Sequence, residues 1–223
     1  MLEVKDLYKT YKYANVKIHA VNDVSFNIRT GDIVSIFGRS GSGKTTLLNL
    51  IGTLDRPDSG EIIINGKNTR EVSGSKLAAF RRSNIGFVFQ YFNLIPYLTA
   101  IENVALPLKF DGVARSERNR RAKEVLEEIG LSKRLDFKLA GLSGGQVQRV
   151  AFARAIIAKP RIVLADEPTG QLDSKTAENL AETIVNLNKK SNITFIITTH
   201  DPVISSIANK IIYFEDGKIQ KKE

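Results

Sequence analysis

At 223 residues, with 42% hydrophobic and 26% charged side chains, the chain suits one domain, or one core with an inserted subdomain, and can bury a sizeable core. Cysteine is absent, which excludes disulfides and thiolate metal sites, and no apolar run approaches the roughly 20 residues of a membrane-spanning helix. The formal charge of +9 fits a solvated basic surface, an anionic membrane face or a nucleic acid; Lys and Arg are scattered, with short clusters at Arg81-Arg82 and Arg118 to Arg121, so charge alone selects no partner.

Met1-Leu2-Glu3-Val4-Lys5 is charged too early for a signal peptide, and the expectation is a chain that does not enter a membrane by itself. Leu2, Val4 and Asp6 alternate with Glu3, Lys5 and Leu7, a weak strand pattern. Ile18 to Ile28 is a stronger one, with Val24, Phe26 and Ile28 set against Asp23, Ser25 and Asn27. Tyr8, Tyr11 and Tyr13 lie nearby. Any of them can stack on a nucleobase, since every base has a π-face, but spacing alone favours ordinary strand or surface tyrosines.

Gly31-Asp32 is a turn before Ile33-Val34-Ser35-Ile36-Phe37, a β-branched run that reads as a buried strand. It leads into Gly38-Arg39-Ser40-Gly41-Ser42-Gly43-Lys44-Thr45-Thr46, which fits the phosphate-binding pattern G-x-x-x-x-G-K-[ST]. Thr45 to Ile51 can open a helix. Strand before and helix after make a chance glycine-rich turn the poorer reading. Glycines let backbone N–H groups turn inward at a helix N-terminus and cradle phosphate oxygens. Lys44 adds a charge at the β- and γ-phosphates, and the Thr45 hydroxyl suits Mg²⁺.

Glu61 to Ile64 followed by Asn65-Gly66 is a strand with a hairpin turn. Ile85 to Gln90 reads as a strand ending in an amide. Residues 91–159 then read as helix-rich, with Pro96 and Pro107 in an apolar stretch and a helix over Ser116 to Ile129 that Gly130 stops. Ser143 and Gln146, in Leu142-Ser143-Gly144-Gly145-Gln146, have capping-box spacing and predict a helix running to the residue before Pro160. Its N-terminus is either a second anion site or simply a capped helix.

Arg161 to Ala165 is a strand that delivers Asp166 and Glu167, the first suited to Mg²⁺ and the second to orienting or deprotonating a water. Asp173-Ser174 caps a helix with Ala177, Leu180, Ala181, Ile184 and Leu187 on one face. Thr194 to Thr199 is a buried strand ending at His200, Asp201-Pro202 starts a helix, and Lys210 to Ile219 closes as a hairpin around Asp216-Gly217. Ligands of an open parallel sheet bind outside the carboxyl ends of its strands, which predicts that the glycine-rich loop, Asp166, Glu167 and His200 share one edge.

The order of these motifs closely resembles the ATP-binding cassette (ABC) ATPases over essentially the whole chain. Leu142 to Gln146 is the most specific part. Ile85 to Leu108 is similar to the branch that holds the lipoprotein-releasing and macrolide-exporting transporters and the related cell-division ATPase. The resemblance implies an α/β fold: a P-loop NTPase core of RecA-like type, an antiparallel β subdomain and an inserted helical subdomain. Residues 1–223 then form a single domain, with 1–90 and 160–223 as nucleotide-binding core plus β subdomain and 91–159 as the helical subdomain.

The resemblance also implies ATP and Mg²⁺ as cofactors, with Tyr11 stacking on adenine and Gln90 near Mg²⁺ and the attacking water. Ser143, Gly144, Gly145 and Gln146 would contact the γ-phosphate of ATP on the opposite subunit of a head-to-tail homodimer. Glu167 would be the general base, Asp173 the D-loop aspartate and His200 the γ-phosphate switch. A separate membrane permease at the cytoplasmic face is implied, and no nucleic acid; apolar residues between Tyr91 and Leu108, Tyr97 and Leu98 first, are candidates for its docking groove. Gln171, Val147 and the proline-free segment Phe137 to Gly141 depart from the family pattern without touching a reacting position. A soluble cassette acting on DNA or ribosomes would need a long heptad insertion or a second cassette, and a non-catalytic one would not need intact Lys44, Asp166, Glu167 and His200.

Overall fold

Two sheets divide the chain according to its two apolar patterns. Alternating segments make an antiparallel sheet, and unbroken apolar runs make a parallel one. The computed structural model describes residues 1–14 and 16–220. The chain enters as β1 (Leu2–Tyr13) and β2 (Val16–Ile28), continues through β3 (Ile33–Phe37) and α1 (Lys44–Ile51), and forms β4 (Ser59–Ile64) and β5 (Lys67–Asn68). Strands β1, β2, β4 and β5 pair antiparallel in the order β2-β1-β4-β5. Leu2, Val4, Ile62 and Ile64 point into the core while Glu3, Lys5 and Glu61 face solvent.

The expected parity of β1 fails after Val4. Asp6 takes a left-handed backbone conformation, φ 46°, and the register with β2 shifts between Val4 and Leu7. This bulge inserts one residue and turns Leu7, rather than Asp6, onto the face of Leu2 and Val4, where Leu7 is fully buried.

The central sheet is completed by β6 (Ile85–Val88), β7 (Ile162–Asp166), β8 (Thr194–Thr199), β9 (Lys210–Glu215) and β10 (Lys218–Gln220), in the order β10-β9-β3-β8-β7-β6. All neighbours are parallel except the β9–β10 hairpin. Every residue of β7 and β8 is buried, as a strand covered on both faces requires. Helix α1 and the antiparallel sheet cover one face. The other is covered by α6 (Ser174–Ser191), α7 (Pro202–Ser206) and part of α5 (Gly144–Ile156). The remaining helices are α2 (Gly74–Asn84), α3 (Ala100–Phe110) and α4 (Arg115–Glu128).

Helices α3, α4 and α5 share a second core built on Val104, Leu108, Leu126, Val150 and Ala153. The opposite face of α5 places Phe152, Ala155 and Ile156 in the main core. Helix α5 therefore belongs to both cores and ties the helix-rich segment to the central sheet. Truncating the fully buried Phe152 to alanine would cost about 3–5 kcal/mol of stability.

Two further sequence expectations differ from the fold. Helix α5 ends at Ile156, short of the residue before Pro160, because Lys159 adopts φ 53° and the residue ahead of a proline disfavours helix. Strand β6 stops at Val88, so Gln90 lies in the following loop. Helix α3 forms inside the stretch expected to be helix-rich. Thr99 and Glu102 cap it reciprocally, and Pro107 falls near its C-terminal end.

Candidate functional site

Parallel β3, β7 and β8 end at one edge of the sheet, and their C-terminal loops surround a cavity of about 510 Å³. The β3–α1 loop forms its floor. This loop tolerates no side chain at two of its glycines. A Cβ on Gly38 would lie 2.1 Å from the Phe214 carbonyl oxygen, and one on Gly43, whose φ is 102°, would lie 2.1 Å from that of Ala20. Helix α1 begins at Gly43 with no side-chain cap, so amide donors of its first turn remain for whatever enters the cavity. The buried Ser42 hydroxyl oxygen also lacks a hydrogen-bond partner among the described residues.

Lys44 is 5% exposed, and its Nζ donates to the carbonyls of Gly38 at 2.8 Å and Arg39 at 2.9 Å. It also lies 3.2 Å from Glu167 Oε1. Ser40, Gly41, Thr45 and Thr46 line the same cavity. The Thr45 hydroxyl donates to Asp166 Oδ1 at 3.1 Å, and the Thr198 hydroxyl donates to the same oxygen at 2.6 Å. Asp166 thus sits just behind the lining, oriented by two hydroxyls. An amide cradle, a buried ammonium and an unpartnered hydroxyl fit a polyphosphate. A hydroxyl beside one carboxylate fits Mg²⁺, which takes one or two carboxylates and completes its shell with phosphate oxygens and water.

Glu167 is held in an uncommon backbone state, φ 43°, at a cost on the order of 1–3 kcal/mol. Its amide donates to the Thr198 carbonyl at 3.0 Å, and its Oε2 lies 2.9 Å from His200 Nδ1. Backbone and side chain are therefore both fixed, with the carboxylate facing Lys44 and the cavity. Gln90 reaches the cavity from the loop after β6, and Gly170 packs beside both Gln90 and Glu167. Tyr11 lines the opposite rim. Its hydroxyl donates to Asp55 Oδ2 at 2.6 Å, and Lys9 Nζ sits 5.1 Å from its ring centroid. Burial, then the Asp55 carboxylate, pushes the Tyr11 phenol up to about 12.

The remaining expected residues lie apart from this cavity. Ser143, Gly144, Gly145 and Gln146 form the N-terminus of α5, where the Ser143 amide donates to Gln146 Oε1 at 3.0 Å in the expected capping box. Ser143 and Gly144 are exposed. Gly145 is pressed against α6, since a Cβ there would lie 2.4 Å from the Thr176 methyl. Asp173 caps α6, accepting from the Thr176 amide at 2.9 Å and hydroxyl at 2.7 Å, and these bonds hold its carboxyl below the usual range.

Sequence reasoning missed the wall nearest Tyr11. Ile18, His19 and Ala20 of β2 line it together with Asp216 and Gly217. The Asp216-Gly217 turn carried a visible signal, but only as a hairpin. Its further task is to buckle β2 to the phosphate loop: the Gly217 amide donates to the Ser42 carbonyl at 2.9 Å, and the Gly217 carbonyl accepts from the Asn22 amide at 2.8 Å.

A family model described as ABC transporter matches residues 21–170. The ABC transporter ATP-binding protein YxdL of Bacillus subtilis is 47% identical over 98% of this chain and 85% of its own length. The lipoprotein-releasing system ATP-binding protein LolD of Geobacter metallireducens is 41% identical over 98% of this chain and 97% of its own. Among solved structures, the dimeric post-hydrolysis state of the ATP-binding cassette MJ0796 bound to ADP and Pi superposes with a TM-score of 0.92 at 45% identity, covering 100% of this chain and 98% of that one.

Proposed function

The chain belongs to the ABC transporter family, and from that premise we propose that it is the ATP-hydrolysing subunit of a transporter, driving a separate membrane subunit. The observation that carries this reading is the convergence of Lys44, the Thr45–Asp166 pair and the His200-held Glu167 on one phosphate-shaped cavity.

The α1 amides and Lys44 bind the triphosphate. Its arrival gives Lys44 competing anions and releases Glu167 from the 3.2 Å pair. Glu167 then accepts a proton from water as the water oxygen bonds to the γ-phosphorus. The bond from that phosphorus to the β,γ-bridging oxygen breaks, and ADP leaves with the oxygen. Such base assistance is typically worth about 10²–10⁴-fold. His200 keeps the carboxylate aimed, and Gln90 lines the same cavity. Mg²⁺, which Thr45 and Asp166 suit, supplies charge neutralisation on the phosphates.

None of Ser143 to Gln146 lines their own chain's cavity, and Ser143 and Gly144 are exposed, which supports a head-to-tail homodimer in which each copy's α5 N-terminus completes the other's site. Asp173 lies at the same surface. The solved relative is itself a dimer, bound to ADP and Pi.

No helix among the described residues is long and apolar enough to cross a membrane. From the transporter subunits to which the chain is similar, we infer a place at the cytoplasmic face, attached through its partner. An apolar groove of about 270 Å³ supports this attachment. Phe87, Phe89, Leu106, Pro107 and Phe110 line it together with Arg81, Arg82 and Arg154, and Phe110 is 68% exposed. Leu98 borders a depression with Lys109, Arg115 and Arg118, whereas Tyr97 is 85% exposed; Tyr97 therefore stays a docking candidate and Phe110 joins it. The relatives named as transporter subunits disfavour a cassette that acts on nucleic acid or ribosomes.

Phosphate release from MgATP tests the reading, with Glu167→Gln as the control that binds without turnover. A Glu167→Gln protein that turns over like wild type removes Glu167 from the base role.

A further inference from the structure

Strand β1 outruns β4. Its pairing ends at Tyr8 with Ser59, yet the strand continues to Tyr13. The α1–β4 loop takes over as the neighbour and grips the overhang with side chains. Asp58 Oδ2 accepts from the Thr10 amide at 2.7 Å, and the Asp58 amide donates to the Tyr8 carbonyl at 2.9 Å.

Asp55 makes the central contact, and both of its oxygens are engaged. Oδ2 accepts from the Tyr11 hydroxyl at 2.6 Å. Oδ1 accepts from Lys9 Nζ at 3.0 Å and from the Arg56 amide at 2.7 Å. Lys9 also donates to the Arg56 carbonyl at 2.7 Å while lying 5.1 Å from the Tyr11 ring centroid. Thr46, on the first turn of α1, lines the same cavity as Tyr11. Asp55 follows the C-terminal end of that same helix. The phenol is thus fixed at its hydroxyl end, although 40% of the residue is exposed at the cavity rim.

A tyrosine on an overhanging hairpin loses rotamer and strand freedom when a base stacks on it, and that loss weakens binding. A ring already locked loses less. We propose that Asp55 is a positioning residue for the nucleobase, holding Tyr11 through its hydroxyl so that the base-dependent part of nucleotide affinity depends on a carboxylate that touches no nucleotide. The proposal rests on the assignment of Tyr11 as the base platform.

The test compares MgADP with magnesium pyrophosphate, which offers the same phosphates without a base, by calorimetric titration of the full chain. Asp55→Ala should raise the Kd for MgADP about fivefold, equivalent to roughly 1 kcal/mol, and leave that for pyrophosphate within about twofold. Tyr11→Phe removes only the hydroxyl and should weaken MgADP by about threefold. Adding it to Asp55→Ala should cost nothing further, since one bond is removed twice. Asp55→Asn keeps an acceptor and should recover part of the loss. Tyr11→Ala should cost MgADP roughly 5- to 150-fold, the range that aromatic stacking is worth.

Equal weakening of both ligands by Asp55→Ala, or additive losses in the double variant, overturns the positioning role. If Asp55→Ala cannot be folded, additivity of Tyr11→Phe with Asp55→Asn decides the matter in the same way. Tyr11→Ala with unchanged MgADP affinity overturns the platform assignment, and Asp55's role with it. A Tyr11→Ala loss beside an unaffected Asp55→Ala overturns the positioning role alone.

Discussion

Helices α1 and α5 both start beside a glycine-rich turn, yet their N-termini are opposites. That of α1 has no side-chain cap, lies over a cavity, and gathers Lys44, Asp166 and Glu167 around it. That of α5 is closed by its own Ser143–Gln146 box, is exposed at Ser143 and Gly144, and meets the Thr176 side chain rather than a cavity. A helix start becomes a site only when other elements bring charge and shape to it. At α1 this chain does so by itself. At α5 the converging groups have to come from a second copy, and on that reading each chain holds a well-formed half and an exposed half of two shared sites.

Changes on the α1 side should abolish chemistry. Lys44→Ala removes the one buried ammonium in the cavity and should lower both MgATP affinity and phosphate release by at least about 100-fold, measured by equilibrium binding and steady-state turnover. Glu167→Gln should retain binding while turnover falls about 10²–10⁴-fold. If Lys44→Ala binds MgATP normally, the contrast between the two helix starts is lost.

Changes on the α5 side should separate assembly from binding. In a Glu167→Gln background, Ser143→Arg places bulk and charge on the exposed surface. Light scattering should show a monomer at saturating MgATP where Glu167→Gln alone is a dimer, with monomer affinity within about twofold. An unimpaired dimer would mean that α5 does not face its partner.

How far each half was legible beforehand follows from how local its causes are. The glycine-rich loop, Asp166 and Glu167 are visible because each motif carries its own strand or helix context. The capping box at Ser143 was visible too, but the direction in which it faces depends on packing between α5 and α6. Leu7 turned inward through a bulge at Asp6 that no alternation rule foresees. Helix α2 escaped because it buries no residue fully and so shows no apolar period. Asp55 escaped because its partner Tyr11 is 44 residues away.

The docking groove gives a smaller test. Phe110→Asp alters an exposed side chain far from either helix start, so basal turnover should stay within about twofold while co-purification with the membrane partner falls. Normal assembly would place the groove elsewhere. The smallest effect is spectroscopic. Burial and then the Asp55 carboxylate raise the Tyr11 phenol, so the protonated form that donates to Asp55 is fully present below pH ~10 and is lost as pH rises through about 12. An absorbance titration of wild type minus Tyr11→Phe should show one phenol ionising well above the ordinary range; a difference centred near pH ~10 would deny the lock.

Strand order has a consequence in time. The strand that carries the phosphate loop, β3, lies between β8 and β9, and β8 begins 157 residues after β3 ends (194 − 37). At roughly 5–20 residues per second, a ribosome needs about 8–30 s to deliver that neighbour. The antiparallel sheet is complete as soon as Asn68 emerges. During the interval Ile33, Val34 and Ile36, all buried in the finished protein, have no strand beside them. The nascent chain thus carries a finished sheet beside an apolar strand that waits for its neighbours, and this is the stage at which a chaperone has most to shield.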